Sequence, residues 1–154
     1  MIQHKTGLIS FLFLAITFSI LIQTTEATAM SFTVHGGDEV TKSLSLSIED
    51  HVLIRFTVVG TSESSIHFFM TYPNGTEKDF GSVGDFSYSF VCDAGGEYTL
   101  HFSNAGSSED ELITLDYEID HYILGIPQTL FLAMIIAIVC VAAAAVFIFM
   151  GRPH

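Results

Sequence analysis

The chain is short of cysteine, short of cations and without a catalytic signature, and each shortage closes off a class of proteins. Its two cysteines are Cys92 and Cys140. Cys140 lies in an uncharged apolar run, so the two cannot pair, and the region ahead of that run has no internal disulfide. A small exported domain of a higher organism often carries one. This one must rely on its core. Cys92 is then a small buried apolar residue or one half of an intermolecular bridge. Lys and Arg total 5 against 17 Asp and Glu, a net charge of -12. Phosphate backbones and anionic headgroups are held by Lys and Arg, so this balance disfavours nucleic acid. It suits a cationic partner, divalent ions, a salty exterior or plain solubility. There is no phosphate loop, G-x-S-x-G elbow, H-E-x-x-H or C-x-x-C. No enzyme class, cofactor or metal is indicated.

Two long hydrophobic runs stand out against this background. Residues 130–150, LFLAMIIAIVCVAAAAVFIFM, are 21 residues without a charge. A helix rising ~1.5 Å per residue crosses a ~30 Å hydrocarbon core in about 20 residues, so this run predicts a transmembrane helix. The other run, residues 8–22, follows His4 and Lys5, and Ala27 and Ala29 supply small residues at the -3 and -1 positions of a cleavage site. That is the pattern of a secretory signal peptide over residues 1–29; an uncleaved anchor is the other reading. Export followed by stop-transfer gives a type I single-pass protein: an outer domain over 30–121, a linker over 122–129, the span over 130–150, and a cytoplasmic tail over 151–154 with Arg152 as its flanking cation. The expected location is the plasma or cell membrane, domain outside; the alternative is an endomembrane with the domain in the lumen. Removing Lys5 and Glu26 leaves 16 acids against 4 bases, still -12. In the span, Ala133, Ala137, Cys140 and Ala144 recur on one helix face, an arrangement that permits close helix packing and self-association.

The outer region alternates. Leu44, Leu46 and Ile48 form one apolar row; Val52, Ile54, Phe56 and Val58 the next; then Ile66, Phe68, Met70 and Tyr72; Phe86, Tyr88, Phe90 and Cys92; Tyr98, Leu100 and Phe102; and Ile113, Leu115, Tyr117 and Ile119. Period two over such lengths signals half-buried strands. Turn chemistry separates them, at Gly36-Gly37-Asp38, Glu49-Asp50, residues 60–64, Pro73-Asn74-Gly75, residues 81–84, Gly95-Gly96 and residues 104–110. With short segments at 31–34 and 76–80 the count reaches about eight. About 90 residues make one domain, so the expected fold is all-β: an antiparallel β-sandwich of Greek-key or jelly-roll type, plus one C-terminal transmembrane helix.

Several stretches together resemble the GOLD (Golgi dynamics) domain, the lumenal β-sandwich of transmembrane cargo receptors. They are KSLSLSI at 42–48, YPNGT at 72–76, GGEYTLHFSN at 95–104 and ITLDYEI at 113–119. The most specific piece is the G-x-Y-x-L-x-F-x-N row of Gly96, Tyr98, Leu100, Phe102 and Asn104, which places core side chains and a turn. The order of parts matches as well. The chain departs from the eukaryotic receptors in lacking their disulfide, their long coiled coil and the coat-binding signals of their tails, so cargo cycling does not carry over. It looks closer to compact prokaryotic relatives. The resemblance implies a protein- or lipid-interaction module on a membrane.

Asn74-Gly75-Thr76 is an N-glycosylation acceptor on a turn, which a hairpin also explains. Asp79, Asp85 and Asp93, or Glu109, Asp110 and Glu111, offer oxygen ligands or are solvated loop carboxylates. Asp116, Glu118 and Asp120 share the outer face of the last strand, where an acidic row guards an edge or greets a basic partner. Five imidazoles, His35, His51, His67, His101 and His121, sit in an acidic domain and suggest pH sensitivity. The reading is a membrane-anchored adaptor or receptor module that binds a membrane or cell-surface protein without catalysis. The alternatives are a self-associating structural surface protein and a small-ligand or lipid-binding domain.

Overall fold

The computed structural model describes residues 28–60 and 64–150, and in the C-terminal helix the side chains of residues 128–143 and 145. The expected signal peptide, up to Ala27, and the tail at 151–154 lie outside the described residues. Eight strands run in chain order: β1 (Thr28–Val34), β2 (Glu39–Leu46), β3 (His51–Val59), β4 (Ile66–Thr71), β5 (Glu77–Val83), β6 (Asp85–Val91), β7 (Gly96–Ser103) and β8 (Glu111–Asp120). A two-residue pair, β9 (Tyr122–Ile123) and β10 (Ile126–Pro127), follows, and then the helix α1 (Gln128–Met150). The chain divides into two compact units, one of which is the sandwich at residues 25–122.

The strands form two four-stranded antiparallel sheets, β1-β8-β3-β6 and β2-β7-β4-β5. Strand β1 pairs with β8, β2 with β7, β3 with β6 and β4 with β5. The chain is thus a nested set of hairpins rolled up so that β3 also meets β8 and β4 meets β7. This is the order of a jelly roll, and the expected sandwich is what the residues build.

The alternating rows supply its core. Val52, Ile54, Phe56 and Val58 are buried from one sheet, and Ile66, Phe68, Met70, Tyr98, Leu100 and Phe102 from the other. Rings from both sheets interlock at the centre. Phe56 and Phe86 come from β3 and β6, Phe68 and Phe102 from β4 and β7, with centroids 4.8–5.2 Å apart wherever they meet. Edge-to-face and offset contacts at that spacing add to area burial.

The structure departs from the sequence pattern at three places. Ile48 does not continue the β2 row: β2 ends at Leu46, and Ile48 is 61% exposed in the turn that follows. Strand β1 begins at Thr28, not Ser31, with Thr28 opposite Tyr117 and Ala29 opposite Asp116. Cleavage after Ala29 would remove both residues from the ladder. Residues 81–84 do not all form a turn, since β5 continues to Val83. A bulge opposite Phe68 and Phe69 absorbs the extra residue, Gly81 takes φ 76°, and Asp79 accepts its N–H at 2.8 Å.

The expected linker is also different. It contains the β9–β10 pair, and α1 starts at Gln128 directly after Pro127. Among the described residues no helix is long and apolar enough to cross a membrane, and the transmembrane helix is not shown. The described side chains of α1 stop at Ala145, while its backbone continues to Met150, 23 residues in all.

Candidate functional site

The solvent face of the β1-β8-β3-β6 sheet is laid out by register. One row across it reads Ser31, Thr114, Thr57, Asp85; the next reads Ala29, Asp116, Arg55, Ser87. Alternation on four neighbouring strands makes both rows, because each inward Phe or Leu turns its neighbour outward. An open groove of about 450 Å³ lies over this face, lined by Arg55, Thr57, Asp85, Ser87, Thr114 and Asp116 among others. Arg55 donates to Asp116 at 3.0 Å and to Glu118 at 3.5 Å, and the hydroxyls of Ser31 and Thr114 are 3.2 Å apart. Next to the hydroxyl row, Val59 of β3 lies opposite Leu112 of β8; they are 53% and 42% exposed. Sequence reasoning missed this surface because each residue alone is unremarkable, and the register alone assembles it.

The Asp116–Glu118 row does not guard an edge as expected. Strand β8 is interior, between β1 and β3, and the two carboxylates hold Arg55 on the neighbouring strand. Lysines stand on two of the actual edges. Lys42, on β2, lies 4.8 Å over the Phe32 ring, and Lys78, on β5, lies 4.4 Å over Tyr88 and donates to its hydroxyl at 2.8 Å. A lysine on an edge strand resists pairing with a foreign strand. All three cations of the described residues are therefore engaged internally, while Glu77, Asp85, Glu97 and Asp120 are exposed.

Four of the five domain imidazoles face a carboxylate. His35 meets Asp110 at 2.8 Å, His67 meets Asp79 at 3.1 Å, His101 meets Glu39 at 2.7 Å and His121 meets Asp50 at 2.8 Å. His51 stacks on Tyr122 with centroids 4.0 Å apart. Asp50 is 1% exposed and also accepts the Ser47 N–H, so it ties the β2–β3 turn to the end of β8. On the outer face of the second sheet His101 stacks on Phe69 at 4.3 Å and reaches the Thr71 hydroxyl through Nε2 at 3.0 Å.

The His35–Asp110 pair carries a pH dependence with a definite sign. The hydrogen bond to Asp110, and then its charge, raise His35 above its usual 6.5. The hydrogen bond from His35, with the Gly36 N–H, lowers Asp110 below its usual 3.8. His35 therefore stabilises the fold fully below pH 6.5, and that contribution is lost as pH rises through its raised value. Asp110 stabilises above 3.8, and loses its contribution as pH falls through its lowered value. The pair helps most between about pH 4 and 6.5. We expect the stability difference between wild type and His35→Gln, measured by urea unfolding, to be largest near pH 5 and to shrink toward pH 8. Because both side chains are exposed, the effect is small.

Cys92 is 2% exposed, and burial raises its thiol above the usual value, with the Tyr98 hydroxyl as hydrogen-bond partner. It is the small buried residue of the two readings and not a thiol placed for an intermolecular bridge. Tyr72, at the same end of the core, is pushed up to about 12 by burial and then by Tyr88. The candidate oxygen ligands do not converge: among the described residues no group of three or more His, Cys, Asp or Glu is placed to hold a metal. Glu111 is 5% exposed, and its Oε2 has no hydrogen-bond partner there.

Asn74 is exposed at the tip of the β4–β5 hairpin. Its Oδ1 accepts from the Thr76 N–H at 2.9 Å and the Thr76 hydroxyl at 2.7 Å, and Gly75 takes φ 79°. The acceptor motif thus doubles as a self-contained Asx turn. If the domain faces an extracytoplasmic glycosylation machinery, intact mass of the native protein should exceed the chain mass by a glycan that Asn74→Gln removes. Helix α1 places Ala133, Ala137 and Cys140 at helical spacing, with Ala137 exposed and the other two half-buried; the side chain of Ala144 lies outside the described residues.

No protein-family model matches this chain. No curated protein matches it either. Among solved structures it is similar to PliG of Aeromonas hydrophila, a periplasmic inhibitor of g-type lysozyme, at 16% identity over 64% of this chain and 92% of that one, with a TM-score of 0.47. It is similar to the propeptide form of the Bacillus licheniformis lipase BlEst2 at 12% identity over 63% of this chain and 22% of that one, with a TM-score of 0.48. The Yersinia pseudotuberculosis-derived mitogen follows at 12% identity over 65% and 91%, with a TM-score of 0.42. The function of this chain has to be argued from its own residues.

Proposed function

We propose that this chain is a membrane-anchored, non-catalytic binding module of the GOLD type. Its sandwich takes a protein partner on the extracytoplasmic side, on the outer face of the β1-β8-β3-β6 sheet. The observation that carries the reading is the make-up of that face: an exposed apolar pair, Val59 and Leu112, beside a groove of hydroxyls and the Arg55–Asp116–Glu118 cluster. Protein interfaces combine an apolar centre with a polar rim in this way. Walls of Arg55, Asp85 and Asp116 suit a polar protein surface better than an acyl chain. Anchoring is supported by the sequence, in which residues 130–150 are 21 residues without a charge, about the number a helix needs to cross the ~30 Å hydrocarbon core. Kinship with GOLD domains is supported by the G-x-Y-x-L-x-F-x-N row, whose Tyr98, Leu100 and Phe102 are fully buried.

The test is purification of tagged full-length protein from its native membrane in mild detergent. The reading predicts one foreign protein in fixed stoichiometry. It should be lost from Thr57→Arg, which fills the groove, and kept by Ser45→Arg on the outer face of the other sheet. Recovery of the chain alone as a defined oligomer would instead favour a self-associating surface protein and direct attention to Ala137.

A further inference from the structure

The β9–β10 pair lies immediately ahead of α1 and is closed by Leu124 and Gly125. Both residues have positive φ, 54° and 73°. That is the backbone of a tight primed turn, whose first position normally takes Asn, Asp or Gly. Leucine is unfavourable there, because its Cβ crowds the backbone and it has no polar atom to bond locally. Leu124 is also 79% exposed, the highest value among the large hydrophobics described. An Asn would relieve the backbone and suit the solvent. Folding of the sandwich gives no reason for a leucine at this point, and an outlier of this kind points to a use.

The surroundings indicate the use. Residues 122–127 read YILGIP, and no charged residue occurs from there to Met150, 29 residues in all. The hairpin tip is therefore the leading part of a single uncharged stretch that continues into α1. We propose that this hairpin is a membrane-interface finger, with Leu124 set among the lipid headgroups and the upper acyl chains of the bilayer that α1 enters. The proposal rests on the anchoring read above. Its depth is limited by the backbone: a two-stranded pair leaves outward N–H and C=O groups that cannot enter hydrocarbon, whereas headgroup level supplies water to them. Tyr122 suits the same level, where aromatic rings with a polar tip are enriched.

The chain contains no tryptophan, so one introduced Trp is the sole indole. Leu124→Trp, Val139→Trp in the middle of α1 and Val59→Trp on the sandwich would each be made in the full-length chain. Each would be reconstituted in phosphatidylcholine vesicles brominated either near the headgroup end or near the methyl end of the acyl chains. The proposal expects Leu124→Trp to emit to the blue of Val59→Trp and to be quenched more by the shallow bromines than by the deep ones. Val139→Trp should show the reverse depth preference. Quenching at residue 139 with emission at residue 124 like that of Val59→Trp would overturn the finger and leave the anchor standing; a protein pocket as the true site for Leu124 gives this result. No quenching at either position would overturn the anchor, and the finger with it.

Discussion

Phe68→Ala is expected to remove about 3–5 kcal/mol of folding free energy, the usual cost of truncating a fully buried Phe to Ala. Phe68 is 0% exposed and touches the rings of Phe56, Phe80, Phe86 and Phe102, so the cavity opens where both sheets meet and no neighbour can collapse into it without leaving another. Single domains have only about 5–15 kcal/mol in hand. With a urea slope near ~2 kcal/mol/M, the midpoint should fall by roughly 2 M. Its chain neighbour provides the control. Phe69 points to the other side of the same strand, is partly exposed and stacks on His101. Phe69→Ala should cost about 1 kcal/mol or less, the scale of an exposed aromatic pair. Equal losses in the two variants would contradict the register of β4.

Asn104→Ala is expected to cost about 2–3 kcal/mol. Asn104 is 3% exposed, and its Nδ2 donates to the Val34 carbonyl at 3.2 Å and the Glu109 carbonyl at 2.7 Å. Its backbone accepts from Gly37 and Ser107 and donates to Asp38. The side chain thus joins the end of β1 to the loop leading to β8, and the backbone of the same residue holds the β1–β2 turn. Removing the side chain leaves two carbonyls without their donor, each costing roughly 1–3 kcal/mol where water cannot reach. Amide exchange should quicken around Gly37 and Ser107 before the rest of the sandwich. Asn104→Asp should be no better, because it turns the donor into a third acceptor. A variant as stable as wild type would show that the loop is held elsewhere.

The strands of the core were legible because their side chains alternate without interruption. Val52 to Val58, Ile66 to Met70 and Tyr98 to Phe102 each keep period two, and each is buried as that period requires. Asn104 was legible as the end of its row, though the two carbonyls it serves were not. The start of strand β1 was hidden because Ala29, a small residue that suits a cleavage site, stands inside it. The bulge in β5 was hidden because Gly81 signals a turn as readily as a kink. The histidine–carboxylate pairs were invisible for a different reason: His35 and Asp110 are 75 residues apart, His121 and Asp50 are 71, His101 and Glu39 are 62. Contacts at that separation come from the nesting of hairpins, which local pattern does not encode. Arg55 shows the same thing. Its partners on β8 follow from β8 lying inside the sheet, a fact of topology and not of composition.

Alkaline carbonate extraction of native membranes tests the central claim, a binding sandwich held at a bilayer by α1, most directly. The full-length chain is predicted to stay in the membrane pellet, while a chain ended before Gln128 is released to the supernatant. Release of the full-length chain by carbonate would contradict the account, and residues 130–150 would then need a protein partner to cover them.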